Sequence, residues 1–264
     1  MGGVLLKSVH CHPLAVAGGR GLIAAVFLML CLRRWRLRIT PLMLGAAVAY
    51  TGTTALFAAA NQLTTAANAI LLQYTAPIFV AWLGRWLLAE RVTRLDWLTI
   101  AVVFAGMALF FADQLSPDGL LGSILAVVSG VAFAFMTVLL RKQKDAEPVD
   151  SIVLGNLIGA AIGLPFFVTG LPPDARSWGA LVALGTLQLG LSYLLYSRAI
   201  KHVTALGSIL ILMIEPLLNP IWVALTLDER PGPWALVGGT VVLAGVTGRS
   251  LILARRHYSE SAGT

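Results

Sequence analysis

The chain has 264 residues, 58% of them hydrophobic and 12% charged, with a mean hydropathy of +0.85, a formal net charge of +7 and a pI near 9.9. Soluble domains carry about 25% charged residues and roughly 45–50% apolar ones, so half the charge needed to cover a folded surface in water is missing. That excludes a soluble enzyme, a nucleic-acid-binding module and a disordered protein. Two cysteines, Cys11 and Cys31, make no disulfide framework.

A spanning helix needs about 20 predominantly apolar residues to cross about 30 Å of hydrocarbon. Nine such segments follow one another, at roughly 13–32, 41–61, 67–88, 95–112, 120–142, 149–171, 176–198, 203–227 and 232–253. Short polar breaks separate them, among them RRWRLR at 33–38, AERVTR at 89–94, RKQKDAEP at 141–148 and DERPGP at 228–233. No break is long enough to hold a soluble catalytic domain. Helices rather than strands follow from segment length and from the need to satisfy backbone groups where water is absent. The expected fold is an all-α polytopic membrane helix bundle.

The basic residues orient it. With the 33–38 linker in the cytoplasm, 15 of the 19 Lys and Arg lie on the cytoplasmic side, while Lys7, Arg176 and Arg230 lie outside and Arg20 falls within a span. This is the positive-inside pattern. It places the protein in the cell (inner) membrane as a multi-pass protein, with the C-terminus cytoplasmic. The first 12 residues are too short for a signal peptide.

The sequence also matches itself at an offset of 139 residues. TAANAILLQYTAPIFVAWLGRWLLAER at 65–91 aligns without a gap on TALGSILILMIEPLLNPIWVALTLDER at 204–230. Thr65/Thr204, Ala66/Ala205, Ile70/Ile209, Leu71/Leu210, Pro77/Pro216, Leu88/Leu227, Glu90/Glu229 and Arg91/Arg230 agree. In the same register VVFAG at 102–106 meets VVLAG at 241–245. Apolar composition alone would not put a proline and a Glu-Arg pair at one offset. The reading is a first repeat over 1–113 with four spans, a second over 114–256 with five, and a cytoplasmic tail at 257–264. An odd number of crossings per unit turns the second unit upside down, giving an inverted-topology repeat. Symmetry then predicts a fifth helix before residue 13, of which GGVLLK would be the exit.

These features resemble EamA domains of the drug/metabolite transporter superfamily. The resemblance rests on GGVLLKSVHCHPLAVAGGRGL at 2–22, on the hairpin from Pro77 to Glu90-Arg91 with Ala105-Gly106, and on the hairpin from Glu215-Pro216 to Glu229-Arg230 with Ala244-Gly245. It covers essentially the whole chain. It implies ten helices in two inverted five-helix repeats, against nine visible here, and movement of metabolites or drugs, often outward.

Charges inside hydrocarbon mark candidate functional positions. Glu215, near the middle of its span and just before Pro216, is a candidate proton site, the alternative being a carboxyl held by a neighbouring helix. Arg20 is a candidate for holding a substrate carboxylate or pairing with Glu215, the alternative being a side chain that snorkels to the headgroups. Pro77 and Pro216 interrupt equivalent helices, the best sequence pointer to a midplane binding site. Tyr50, Thr54, Phe57 and Asn61 share one helix face, and Tyr193 and Tyr196 stand at the 139-shifted places of Thr54 and Phe57. With Gln73, Gln188, Ser192, Pro216 and Asn219 they are the cavity candidates, suited to an organic solute. Helix packing and interface belts are the other reading of such residues. Gly155, Gly159 and Gly163 recur every fourth residue and read as close helix contact, with Asn156 bonding across it. The duplicated Glu-Arg pairs read as helix ends.

The chemistry expected is secondary active transport in the outward direction, by alternating access, with protons a candidate coupling ion. The alternative of another class is an intramembrane enzyme acting on a lipid-soluble substrate. It lacks a nucleophile–base pair or clustered metal ligands, since His10, His12, His202 and His257 all fall near segment ends. No catalytic residue, metal or cofactor is expected. The partners expected are a small organic solute and the lipid bilayer, without nucleic acid, and the residues point to no particular oligomeric state.

Overall fold

The computed structural model describes residues 13–33, 39–169, 174–218 and 232–262. Their elements are helical: α1 (Pro13–Leu32), α2 (Pro41–Leu63), α3 (Ala66–Gln73), α4 (Ala76–Leu87), α5 (Arg94–Phe110), α6 (Leu120–Lys142), α7 (Pro148–Thr169), α8 (Ala175–Ala183), a π-helical turn (Leu184–Leu191), α9 (Ser192–Ala199), α10 (Ala205–Leu212) and α11 (Pro233–Ala262). A short 3₁₀ turn, Ala112–Gln114, follows α5.

Among the described residues, six helical stretches are long and apolar enough to cross a bilayer, and Pro148–Gly163 and Ala205–Leu218 are shorter apolar helices. The apolar segments predict nine spans. The 95–112 candidate is a helix of 17 residues, about 25 Å at 1.5 Å per residue. The 2–12 stretch, Asn219, Pro220 and the Glu229-Arg230 pair lie outside the described residues.

The chain packs as two compact units, and each takes segments from both sequence halves. One comprises Met1–Ala55 with Phe135–Thr204, the other Leu56–Ala134 with Ala205–Thr264.

In the first unit α1 and α7 pair antiparallel. A Cβ on Gly18 would stand 2.7 Å from the Gly163 Cα, and one on Gly21 would stand 3.2 Å from the Asn156 carbonyl oxygen and 3.8 Å from the Ala160 nitrogen. Small residues are what let two helix backbones approach so closely. Of the glycine stripe on α7, Gly163 meets Gly18 and Gly155 meets Tyr50 and the Ala47 carbonyl, whereas Gly159 has open space before it. The π-helical turn lies along α1 in parallel, Gly185 against Ile23 and the Arg20 carbonyl, Gly190 against Phe27. Val16, Ala180, Leu181 and Leu184 form the apolar core beside it. At the C-terminal end of α9 the Arg141 guanidinium donates to the carbonyls of Ile200 (2.9 Å) and Lys201 (2.7 Å), filling acceptors that a helix end leaves without partners.

In the second unit the helix started by α3 breaks at Tyr74-Thr75 and resumes as α4. The helix started by α10 breaks at Met213-Ile214 and resumes at Glu215. Both first halves have eight residues, Ala66–Gln73 and Ala205–Leu212, and coincide at the 139-residue offset. Pro77 therefore sits in the first turn of the resumed helix, where a missing N–H costs nothing. Thr65 caps α3 by accepting from the Asn68 N–H (3.1 Å). The Asn68 amide then clamps the loop before α6, donating to the Ser116 carbonyl (2.6 Å) and accepting from the Ser116 N–H (3.2 Å).

Helices α5 and α11 also pair antiparallel. Gly106 lies against Val242, and Gly245 against Val103. Shifting Gly106 and Val103 by 139 residues gives Gly245 and Val242, so one contact is the other read backwards. Two pairs of repeat-related helices, α1 with α7 and α5 with α11, run in opposite directions. The protein is an all-α, polytopic bundle of inverted-topology repeats.

Candidate functional site

The candidate residues fall into two groups, one in each unit, and each group has its own geometry.

In the first unit the group is aromatic and polar around one cation. Tyr50 is buried on α2, and its hydroxyl donates to the Asn156 Oδ1 on α7 at 3.1 Å. The Asn156 amide donates in turn to the Ile152 carbonyl at 2.9 Å, so both ends of this side chain are used. The Tyr50 and Tyr193 rings meet edge to face with centroids 5.0 Å apart, and Tyr193 meets Tyr196 likewise at 6.2 Å. The Tyr196 hydroxyl reaches the Thr137 Oγ1 at 3.3 Å. Arg20, partly buried on α1, has its guanidinium within electrostatic reach of Tyr50 and Tyr193. The π-helical turn carries Gln188, whose buried Oε1 has no hydrogen-bond partner. A π turn widens the helix and re-aims its side chains, and such turns concentrate at functional sites.

Two candidates on these helices are held locally. The Thr54 hydroxyl donates to carbonyls of its own helix, Thr51 at 3.0 Å and Tyr50 at 3.3 Å. Ser192 donates to the Leu187 carbonyl at 3.2 Å.

In the second unit the group is built on the two helix breaks. Gln73 ends α3, and its amide donates to the Ser129 Oγ on α6 at 2.8 Å. Gly130 lets α6 approach there, since a Cβ would stand 2.7 Å from the Gln73 carbonyl oxygen. The Thr75 hydroxyl bonds back to the Leu72 carbonyl at 2.7 Å. The Tyr74 hydroxyl points across to the Leu212 carbonyl, the last of α10, at 3.5 Å. Glu215 opens the resumed helix, remains accessible, and lies within electrostatic reach of Tyr74. An anionic side chain in the first turn of a helix is favoured by the partial positive charge there. Asn61 is satisfied on its own helix, donating to the Phe57 carbonyl at 2.9 Å.

Sequence reasoning passed over Tyr74. Its signal was its place three residues before Pro77, where the chain turns away from helix. It passed over the partners Thr137 and Ser129 as well, which are ordinary hydroxyls in apolar spans until the helices meet. Asn156 was read as a bond across a helix contact, and that bond goes to Tyr50.

The Glu-Arg hairpin end has a specific contact. Ala89 adopts a left-handed conformation (φ 54°), which brings the Glu90 N–H to the Gly84 carbonyl at 3.1 Å. The Glu90 Oε2 then accepts from the backbone N–H of Ala205 at 3.0 Å, capping α10 from another helix. The end of α4 therefore meets the start of α10, and these helices too run antiparallel.

The family model of the EamA-like transporter family matches residues 1–112 and 120–251. An uncharacterized transporter of Archaeoglobus fulgidus is 31% identical over 205 residues, covering 77% of this chain and 74% of its own length. The pseudopaline exporter CntI of Pseudomonas aeruginosa (strain UCBPP-PA14) is 25% identical over 181 residues, covering 67% of this chain and 63% of that protein. A solved crystal structure superposes with a TM-score of 0.82 at 18% identity, covering 96% of this chain and 92% of the other. At that identity it speaks for the fold alone. A match over nearly the full length, on a helical membrane bundle with repeated, oppositely directed halves, makes this chain a member of the EamA-like transporter family.

Proposed function

We propose that this multi-pass membrane transporter is a secondary active carrier, exporting a small organic metabolite or drug-like compound across the inner membrane by alternating access. The observation that carries the reading is the pair of helix breaks at one offset, Tyr74-Thr75 and Met213-Ile214. A break releases backbone carbonyls and N–H groups from the helical ladder, and in hydrocarbon these need partners. Solute groups supply partners, and the two antiparallel copies of the break offer equivalent surroundings to either face. That suits a site exposed alternately to the two sides. The exporter name of the Pseudomonas relative supports the outward direction. The same reading puts the C-terminus in the cytoplasm and makes Glu215 the coupling proton site.

The test is counterflow in proteoliposomes across a panel of small metabolites. Saturable exchange of at least one solute is expected. Flux that does not saturate would make the chain a channel, and chemical conversion without movement would make it an enzyme.

A further inference from the structure

Arg20 is the only charged residue of the 20-residue helix α1, and it is partly buried in the first unit. Elements from four parts of the chain surround it. The π-helical turn touches its backbone carbonyl through Gly185, α7 faces its neighbour Gly21 with Asn156, and α2 and α9 bring Tyr50 and Tyr193. All of these present rings, hydroxyls, amides or backbone. The described carboxylates of this unit sit at or beside helix ends. Asp174 accepts from the Ser177 N–H at 2.7 Å, Glu147 pairs with Lys201 at 3.5 Å, and Asp145 and Asp150 flank the start of α7. Among the described residues no carboxylate and no hydrogen-bond acceptor is bound to Arg20.

A guanidinium held among apolar helices without a counter-charge is costly, and an incoming anion offsets that cost. Arg offers a planar fork of N–H donors that matches a carboxylate with two parallel bonds. The second observation lies on the π-helical turn whose Gly185 touches the Arg20 backbone carbonyl. The Gln188 Oε1 is buried, accepts no bond, and would take a donor such as an ammonium or a hydroxyl. The Tyr50, Tyr193 and Tyr196 rings, set edge to face, give an apolar wall for the body of the solute.

We propose that this cluster is the subsite for the charged end of the solute, and that the solute is a small organic carboxylate that also bears a hydrogen-bond donor. The proposal rests on the carrier reading above. It makes Arg20 the residue that selects anions and Gln188 the one that selects among them.

The test uses the full chain in detergent and a panel of small amino and hydroxy carboxylic acids, each beside its neutral primary amide. Thermal unfolding reports binding. At least one acid is expected to stabilise the protein while its amide does not. Arg20→Met should weaken that acid by about 10- to 100-fold, the range of one charge-assisted interaction. Arg20→Lys, which keeps the charge and loses the fork, should weaken it by less and serves if Arg20→Met does not fold. Equal stabilisation by acids and amides, or unchanged affinity in both variants, overturns the proposal. Counterflow separates it from the reading beneath it. Saturable exchange of neutral solutes, indifferent to Arg20, overturns the anion subsite and leaves the carrier. Acid binding that depends on Arg20 without any counterflow leaves the subsite and overturns the carrier.

Discussion

Glu90 and Ala205 are 115 positions apart in the chain, and the carboxylate of the first caps the helix that begins at the second, at 3.0 Å. A cap is ordinarily supplied by the residue just before the helix. Here the end of one broken helix also reaches the first N–H of its repeat mate, tying the two together at that point. Glu90→Ala should lower stability by about 1 kcal/mol, the ordinary value of a lost cap. Glu90→Gln keeps an acceptor and should lose less. Thermal unfolding of the purified protein in detergent checks both.

Ala89 should be improved by the substitution that suits its backbone. It holds a φ of 54°, which costs an L-residue roughly 1–2 kcal/mol. Ala89→Gly should therefore raise thermal stability while keeping Glu90 in place. A lowered midpoint would mean that the turn is not left-handed.

Asp96 and Arg249 form an ion pair at 2.7 Å with both side chains buried, joining α5 to α11. Asp96 also completes a capping box with Thr93, accepting from its N–H at 2.7 Å. Removing one partner strands a buried charge, so Arg249→Met should cost about 3–5 kcal/mol. Asp96→Asn with Arg249→Met should recover a large part of that loss. Denaturant unfolding of the single and double variants measures the difference.

Gly18 and Gly159 should respond in opposite ways to the same added methyl group. Gly18→Ala drives a Cβ to 2.7 Å from the Gly163 Cα, and overpacking of this kind costs about 1–3 kcal/mol. Gly159 meets nothing within 4 Å, so Gly159→Ala should be neutral or slightly stabilising through helix propensity. Parallel melts of the two variants decide.

Glu215→Gln should abolish uptake driven by a pH gradient in vesicles while leaving expression and folding intact. Gradient dependence that survives the substitution would remove Glu215 as the proton site.

The spans and the repeat were legible because each needs only composition and register. A run such as 120–142 has to be a helix in lipid, and the paired Pro77 and Pro216 announced that two helices would be interrupted. The place of the interruption was not legible. The prolines marked the helices but not the residues that break: Tyr74-Thr75 takes the break and Pro77 falls in the first turn of the next helix, where no N–H is spent on the ladder. Side-chain pairings were hidden for another reason. Asp96 with Arg249 and Tyr50 with Asn156 are separated by 153 and 106 positions, and nothing local to either residue names its partner. The interleaving of the two units was invisible likewise, because α2 and α6 read as single uninterrupted runs.

Gly21 and Ala160 differ by the repeat offset and face one another where α1 crosses α7. The repeat offset centres the crossing here, although the closest approach, Gly18 on Gly163, has Leu157 and Ala24 as its repeat mates. Moving α1 by one residue would unseat the close approaches on both sides of the centre together, so the alignment of the pair is all or nothing. Both members of this central pair are small, which is what the close approach of the two helix backbones requires.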